Sequence, residues 1–176
     1  MDLFRPFLAR GERLSTFATS PRRPETVFNL SLTHLRKLTY DYYTSYAGLP
    51  ESFTTSWVHG PLYVAPAILH YDRSEEWQVN FLCFIEACSD LLRAHQMMEG
   101  VLRALLGMAV TAGAFSSANA ADYLDDLHSQ LSGPGFFTTQ SQVGFVVDQD
   151  LAVEDRPAAA GDILAQRFDE ILFQDE

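Results

Sequence analysis

Between Trp77 and Leu131 the chain carries three apolar stripes in succession, each at helical spacing. Trp77, Phe81, Phe84, Ile85, Cys88, Leu91 and Leu92 form the first, and Met98, Val101, Leu102, Leu105, Ala109 and Ala112 the second. Ala120, Leu124, Leu127 and Leu131 form the third, at gaps of 4, 3 and 4. Side chains that recur every three or four positions return to the same side of an α-helix, so each segment predicts an amphipathic helix with one face to bury. A large apolar side chain contributes ~1.5–3 kcal/mol when fully buried, which obliges the stripes to pack on something. Short connections make successive helices antiparallel neighbours. Almost no reactive side chain sits on these faces, which marks them as packing surface. The expected fold class is all-α, an irregular helical bundle.

The flanking segments extend the same reading. Met1 to Leu8 is apolar and closes on Phe4-Arg5-Pro6-Phe7-Leu8, the pattern of a helix tail whose beginning is missing, and residues 9–20 are polar and loop-like. Ser20-Pro21 offers an N-cap with proline in the first turn. Phe28, Leu32, Leu35, Leu38, Tyr42 and Tyr46 then recur at gaps of 4, 3, 3, 4 and 4 until Gly48-Leu49-Pro50. Pro24 either belongs to the first turn of this helix or moves its start to Glu25. Ser52 to Tyr71 reads as a broken helix with a kink at Pro66. Ser74 is placed to cap the next helix, with Glu75 and Glu76 favourable at its positive end. Gly100, Gly107 and Gly113 permit close approach of a neighbour. Ser132-Gly133-Pro134-Gly135 stops the third stripe. The chain therefore divides into a helical domain over 1–133 and, over 134–176, a loop and an acidic-hydrophobic tail with a short C-terminal helix.

The net charge of -11 is unevenly placed. Residues 1–60 hold seven Lys/Arg against five Asp/Glu, residues 61–139 three against nine, and residues 140–176 two against nine. Phosphate neutralisation supplies most nucleic-acid affinity, and no basic stripe exists here, so direct binding to nucleic acid is not expected. Arg103 interrupts the best membrane candidate, Val101 to Phe115, so no membrane span is expected. The N-terminus lacks the apolar core of a secretory signal, and an intracellular location is expected. The two cysteines, Cys83 and Cys88, agree with a reducing compartment. Five residues apart on a helix, they point about 140° from each other and cannot share a tetrahedral metal. Cys88 and His95 share a face, but two ligands do not make a site. His34, His59, His70, His95 and His128 pair with no nucleophile in any recognisable pattern. Phosphate-loop, nucleophile-elbow and H-E-x-x-H motifs are absent. No catalytic, cofactor-binding or metal-ligating residue is assigned, no cofactor is expected, and the chain is not expected to be an enzyme. A catalytic dyad assembled only by folding stays open.

A resemblance enters at residues already named. Arg5-Pro6-Phe7-Leu8, the opening Ser20-Pro21-Arg22, the Trp77 and Phe81 helix, and Leu105, Met108 and Ala109 on the helix that follows resemble the C-terminal half of the regulatory domain of fungal zinc-cluster transcription factors. Their nitrogen-assimilation type is the nearest in flavour. The likeness covers about residues 1–133. It implies an all-α regulatory module, nuclear, acting in transcription, as a fragment whose partners are the transcription machinery or the missing part of the same domain. DNA binding in that family belongs to a six-cysteine zinc cluster, and no residue here inherits that role.

Residues 140–176 add a reading of their own. Phe145, Val146, Val147, Leu151, Ile163, Leu164, Phe168, Ile171, Leu172 and Phe173 are interleaved with nine acids, the composition of an amphipathic activation segment. Leu164, Phe168, Ile171 and Leu172 would share one helix face and are the candidate interaction residues, for a partner groove or equally for the chain's own domain. A further possibility is a small-molecule effector held by the helices around Gly100 to Gly113.

Overall fold

The computed structural model describes residues 24–46, 59–71, 76–94, 98–130 and 144–174. Among them the protein is all-α, with an isolated antiparallel bridge between Val146 and Ala160. The helices are α1 (Pro24–Tyr46), α2 (His59–Tyr71), α3 (Trp77–Ala94), α4 (Met98–Thr111), α5 (Ser117–Gln130), α6 (Leu151–Glu154) and α7 (Gly161–Gln174).

Local chemistry sets several of these boundaries. The described part of α1 begins at Pro24; a proline in the first turn of a helix is tolerated because the first amides have no partner inside it. Pro61 uses the same allowance in the first turn of α2, but Pro66 lies inside that helix. The break expected between Ser52 and Tyr71 is therefore corrected over its described part: from His59 onward α2 is one continuous helix. An interior proline costs ~3 kcal/mol, and burial of Leu62, Val64, Ile68 and Leu69 offsets it. The start of α3 at Ser74, the stop at Gly48-Leu49-Pro50 and Leu131 lie outside the described residues.

The turn between α4 and α5 is closed at both ends. Gly113, at φ +73°, occupies the left-handed region, and the amides of Ala114 and Gly113 donate to the carbonyls of Ala109 (2.8 Å) and Val110 (3.0 Å). This paired closure satisfies the last carbonyls of α4. Three residues later the Ser116 hydroxyl accepts the Asn119 amide at 3.1 Å and caps α5.

α4 is the centre of the core. Met98, Val101, Leu102, Leu105, Leu106 and Ala109 are each fully buried, and α2, α3, α5 and α7 all pack on it. The most extensive helix–helix contact among the described residues is α4 with α7. Gly107 makes it possible: a Cβ added there would stand 3.0 Å from the Cβ of Phe168. The predicted stripes of α3 and α5 meet this core through Phe81, Phe84, Ile85 and Cys88, and through Ala120, Leu124 and Leu127. The side chains of Leu91 and Leu92 lie outside the described set.

Two expectations need amending. On α1, Phe28 is buried but Leu38 is 56% exposed, because ten residues at about 100° each carry Leu38 some 80° off the Phe28 meridian. Thr39, about 20° from that meridian, takes the inward place and is 3% exposed. The boundary at residue 133 is likewise not a boundary of the core. Val147, Leu164 and Phe168 belong to the same cluster as α2 to α5, so the described part of the tail is packed into the domain. No described helix is long and apolar enough to cross a membrane.

Candidate functional site

The last turn of α2, the turn over 148–151, the end of α4 and the inner face of α7 line a half-open cavity of about 320 Å³. Its wall is mostly hydrocarbon, from Leu69, Met108, Leu151, Leu164, Phe168 and Ile171, and its polar groups are His70, Thr111, Asp148 and Arg167. A smaller space of about 210 Å³ lies between α1 and α2, lined by Asn29, Leu32, Thr33, Arg36, Ile68 and Tyr71. Mixed lining of the first kind suits a small molecule with an apolar body and one polar end.

At one edge of the larger cavity two neighbours on α2 grip two acids of the turn. The Nε2 of His70 stands 3.3 Å from Oδ2 of Asp148, and the Tyr71 hydroxyl donates to Oδ1 of Asp150 at 2.5 Å. The other oxygen of Asp148 accepts the amides of Asp150 and Leu151, both at 3.0 Å. The Asp148 side chain is 8% exposed and that of His70 39%. Burial alone would raise the Asp148 carboxyl. The His70 hydrogen bond, the two amides and the His70 charge outweigh it and hold the carboxyl below its ordinary value. One donor atom each from His70, Asp148 and Asp150 lies within 4.8 Å of the other two.

These residues were not marked as a site by the sequence. His70 reads there as one of five scattered histidines, and Asp148 and Asp150 as two of nine acids. The local hint is Asp148-Gln149-Asp150 following the apolar pair Val146-Val147. Nothing local links it to His70-Tyr71, since the two pairs are 78 and 79 residues apart.

The candidate interaction residues fall as follows. Leu164, Phe168 and Ile171 line the cavity, and Leu172 packs at the edge of the core. They do share one face of α7, and that face is occupied by the chain's own α4, with Phe168 fully buried. Cys88 is core, its thiol pushed up to about 12 by burial. Cys83 is half-buried and also raised, first by burial and then by the charge of Glu86. His128 stands 3.4 Å from Glu99, which with Asp169 flanks Arg103. His95 lies outside the described residues.

Comparison with known proteins returned no matching family model, no matching curated protein and no matching solved structure, so the chemistry of the cavity carries the functional reading.

Proposed function

We propose that this chain is a non-enzymatic, all-α regulatory module that responds to a small effector held in the cavity between α2, α4 and α7. The observation that carries the reading is the cavity itself. Its volume of about 320 Å³ is roughly twice that of an apolar protein cavity able to hold benzene. The hydrocarbon wall takes the body of the effector, and the polar groups at His70, Thr111 and Arg167 take its head. The site lies where α7 closes on α4, so an occupant changes how firmly α7 is held. That is a route from binding to regulation.

The likeness of Arg5-Pro6-Phe7-Leu8, Ser20-Pro21-Arg22 and the α3 and α4 stripes to the regulatory domain of fungal zinc-cluster transcription factors supports a place in transcription, in the nucleus, through protein contacts rather than through DNA. In this reading the module acts on the transcription machinery or on a further part of its own domain.

The test is a thermal-shift screen of the full chain against short-chain aliphatic and aromatic carboxylates, amines and alcohols. A binder at a hundred times its Kd raises Tm by about 5–10 °C. Ala112 is exposed at the end of α4 and lines the cavity, so Ala112→Trp covers the space without entering the core and abolishes the shift. A screen with no hits, or a shift that Ala112→Trp leaves intact, removes the effector reading. The transcriptional part is tested separately, by fusing the whole chain to an unrelated DNA-binding domain. A reporter indifferent to the fusion removes that part.

A further inference from the structure

We propose that the imidazole of His70 and the carboxylates of Asp148 and Asp150 form a binding site for one divalent transition-metal cation of the zinc type, with an open coordination position toward the cavity.

The donor set selects the class of ion. One nitrogen and two carboxylate oxygens suit zinc and its first-row neighbours. Calcium requires six to eight oxygens, which three side chains do not supply. Distance points the same way. Two ligands ~2.0–2.1 Å from a tetrahedral ion stand about 3.3–3.4 Å from each other, and His70 Nε2 and Asp148 Oδ2 are 3.3 Å apart. As a hydrogen bond to a carboxylate the same separation is long, since charged pairs settle near ~2.7–2.9 Å. The third donor lies within 4.8 Å of both, so the Asp150 carboxylate has to move toward the other two to share the ion.

Both carboxylates already have outer support. Asp148 is steadied by two backbone amides and Asp150 by the Tyr71 hydroxyl, the kind of outer support that ligating carboxylates carry. Two acids against one imidazole leave a local negative charge in a chain of net charge -11, and a divalent cation neutralises it. Arg167, the guanidinium among the cavity-lining residues, is the opposing positive group. The independent feature is the cavity: His70 and Asp148 both line it, so a bound ion has space for an exchangeable fourth ligand. A purely structural metal would be closed on all sides. The proposal stands on the three donors whether or not an organic effector exists, and its probe is the metal alone.

The experiment uses the full chain stripped with chelator and titrated with Zn²⁺ and Co²⁺ by calorimetry and visible absorption. Expected are one ion per chain, a Co²⁺ spectrum of nitrogen and oxygen ligation without thiolate charge transfer, and a rise in Tm with Zn²⁺. His70→Gln and Asp150→Asn each lower affinity by about 100-fold or more, and Tyr71→Phe by about 10-fold. His34→Gln leaves it unchanged. If the variants fail to fold, the wild-type chain still decides, because bound Zn²⁺ protects His70 from carbethoxylation as read by peptide mass spectrometry. Absence of saturable binding, thiolate bands in the Co²⁺ spectrum, His70 modified equally with and without Zn²⁺, or binding that survives His70→Gln overturns the proposal and leaves the three residues a hydrogen-bonded clasp.

Discussion

α4 and α1 are both long amphipathic helices, yet the protein grips them very differently. α4 is buried at ten of its 14 residues and is packed by four other helices. α1 runs for 23 residues, and of its described side chains only Phe28 and Thr39 are buried. At the α4–α7 contact the fit is apolar and tight, with Gly107 against Phe168. At the α1 contact one aromatic, Phe28, meets Tyr71 edge-on at 5.0 Å, and the buried Thr39 hydroxyl has no hydrogen-bond partner among the described residues. Apolar stripes of similar length thus yield very different anchoring. Depth depends on how many neighbours surround the helix, and weakly gripped elements open first.

The contrast can be broken or sharpened by substitution, read by equilibrium urea unfolding at constant m. The largest effect belongs to Phe168→Ala, which empties the centre of the α4–α7 contact and costs about 3–5 kcal/mol. A loss under ~1 kcal/mol would mean that α7 is not docked as described and would restore Leu164, Phe168, Ile171 and Leu172 to a partner. Asp169→Ala comes next. It deprives Arg103 of its partner on α7. Both side chains are about a third exposed, so the cost is about 1–2 kcal/mol, and it shrinks as salt rises.

Thr39→Val acts in the opposite direction and tests the weakness of α1. A buried hydroxyl without a partner is unfavourable by ~1–3 kcal/mol, and valine has nearly the same shape. The variant is expected to gain about 1 kcal/mol and to raise Tm by about 2–4 °C; a fall in Tm would show that the hydroxyl is paired. The smallest effect is that of Leu38→Ala. Leu38 is 56% exposed, so the change stays within about 0.5 kcal/mol. A cost above ~2 kcal/mol would place Leu38 in a contact and bring α1 closer to α4 in character.

Much of the fold is legible in residue spacing. Ala120, Leu124 and Leu127 are read straight off their gaps and are the buried residues of α5. Phe81, Phe84, Ile85 and Cys88 of α3 are read in the same way and are buried, beside Ala87 and Ser89, which the stripe leaves out. Leu38 shows where the method slips: a gap of three taken once too often drifts around the helix, and the inward place goes to a polar threonine that hydropathy does not flag. The candidate site was less legible. Leu164, Phe168 and Ile171 read as one apolar face, and they line the cavity, but spacing leaves open whether the surface they meet belongs to a partner or to the chain's own domain. His70 and Tyr71 carried no signal, and Asp148 and Asp150 only the local hint of two acids after an apolar pair, because a clasp between residues 78 and 79 positions apart leaves no periodic trace.

Sequence by itself determined most of the helices, most of their inward faces and the acidity of the C-terminal segment. These depend on interactions within a turn or two, where 3.6-residue periodicity and backbone hydrogen bonding act on near neighbours. Only the tertiary structure decided that α7 is the partner α4 needs, that a cavity remains between them, and that a histidine and two aspartates meet at its edge. Those outcomes depend on which surfaces come together across long stretches of chain. An apolar stripe states that it must be covered without stating by what, since the hydrophobic effect has magnitude but no address.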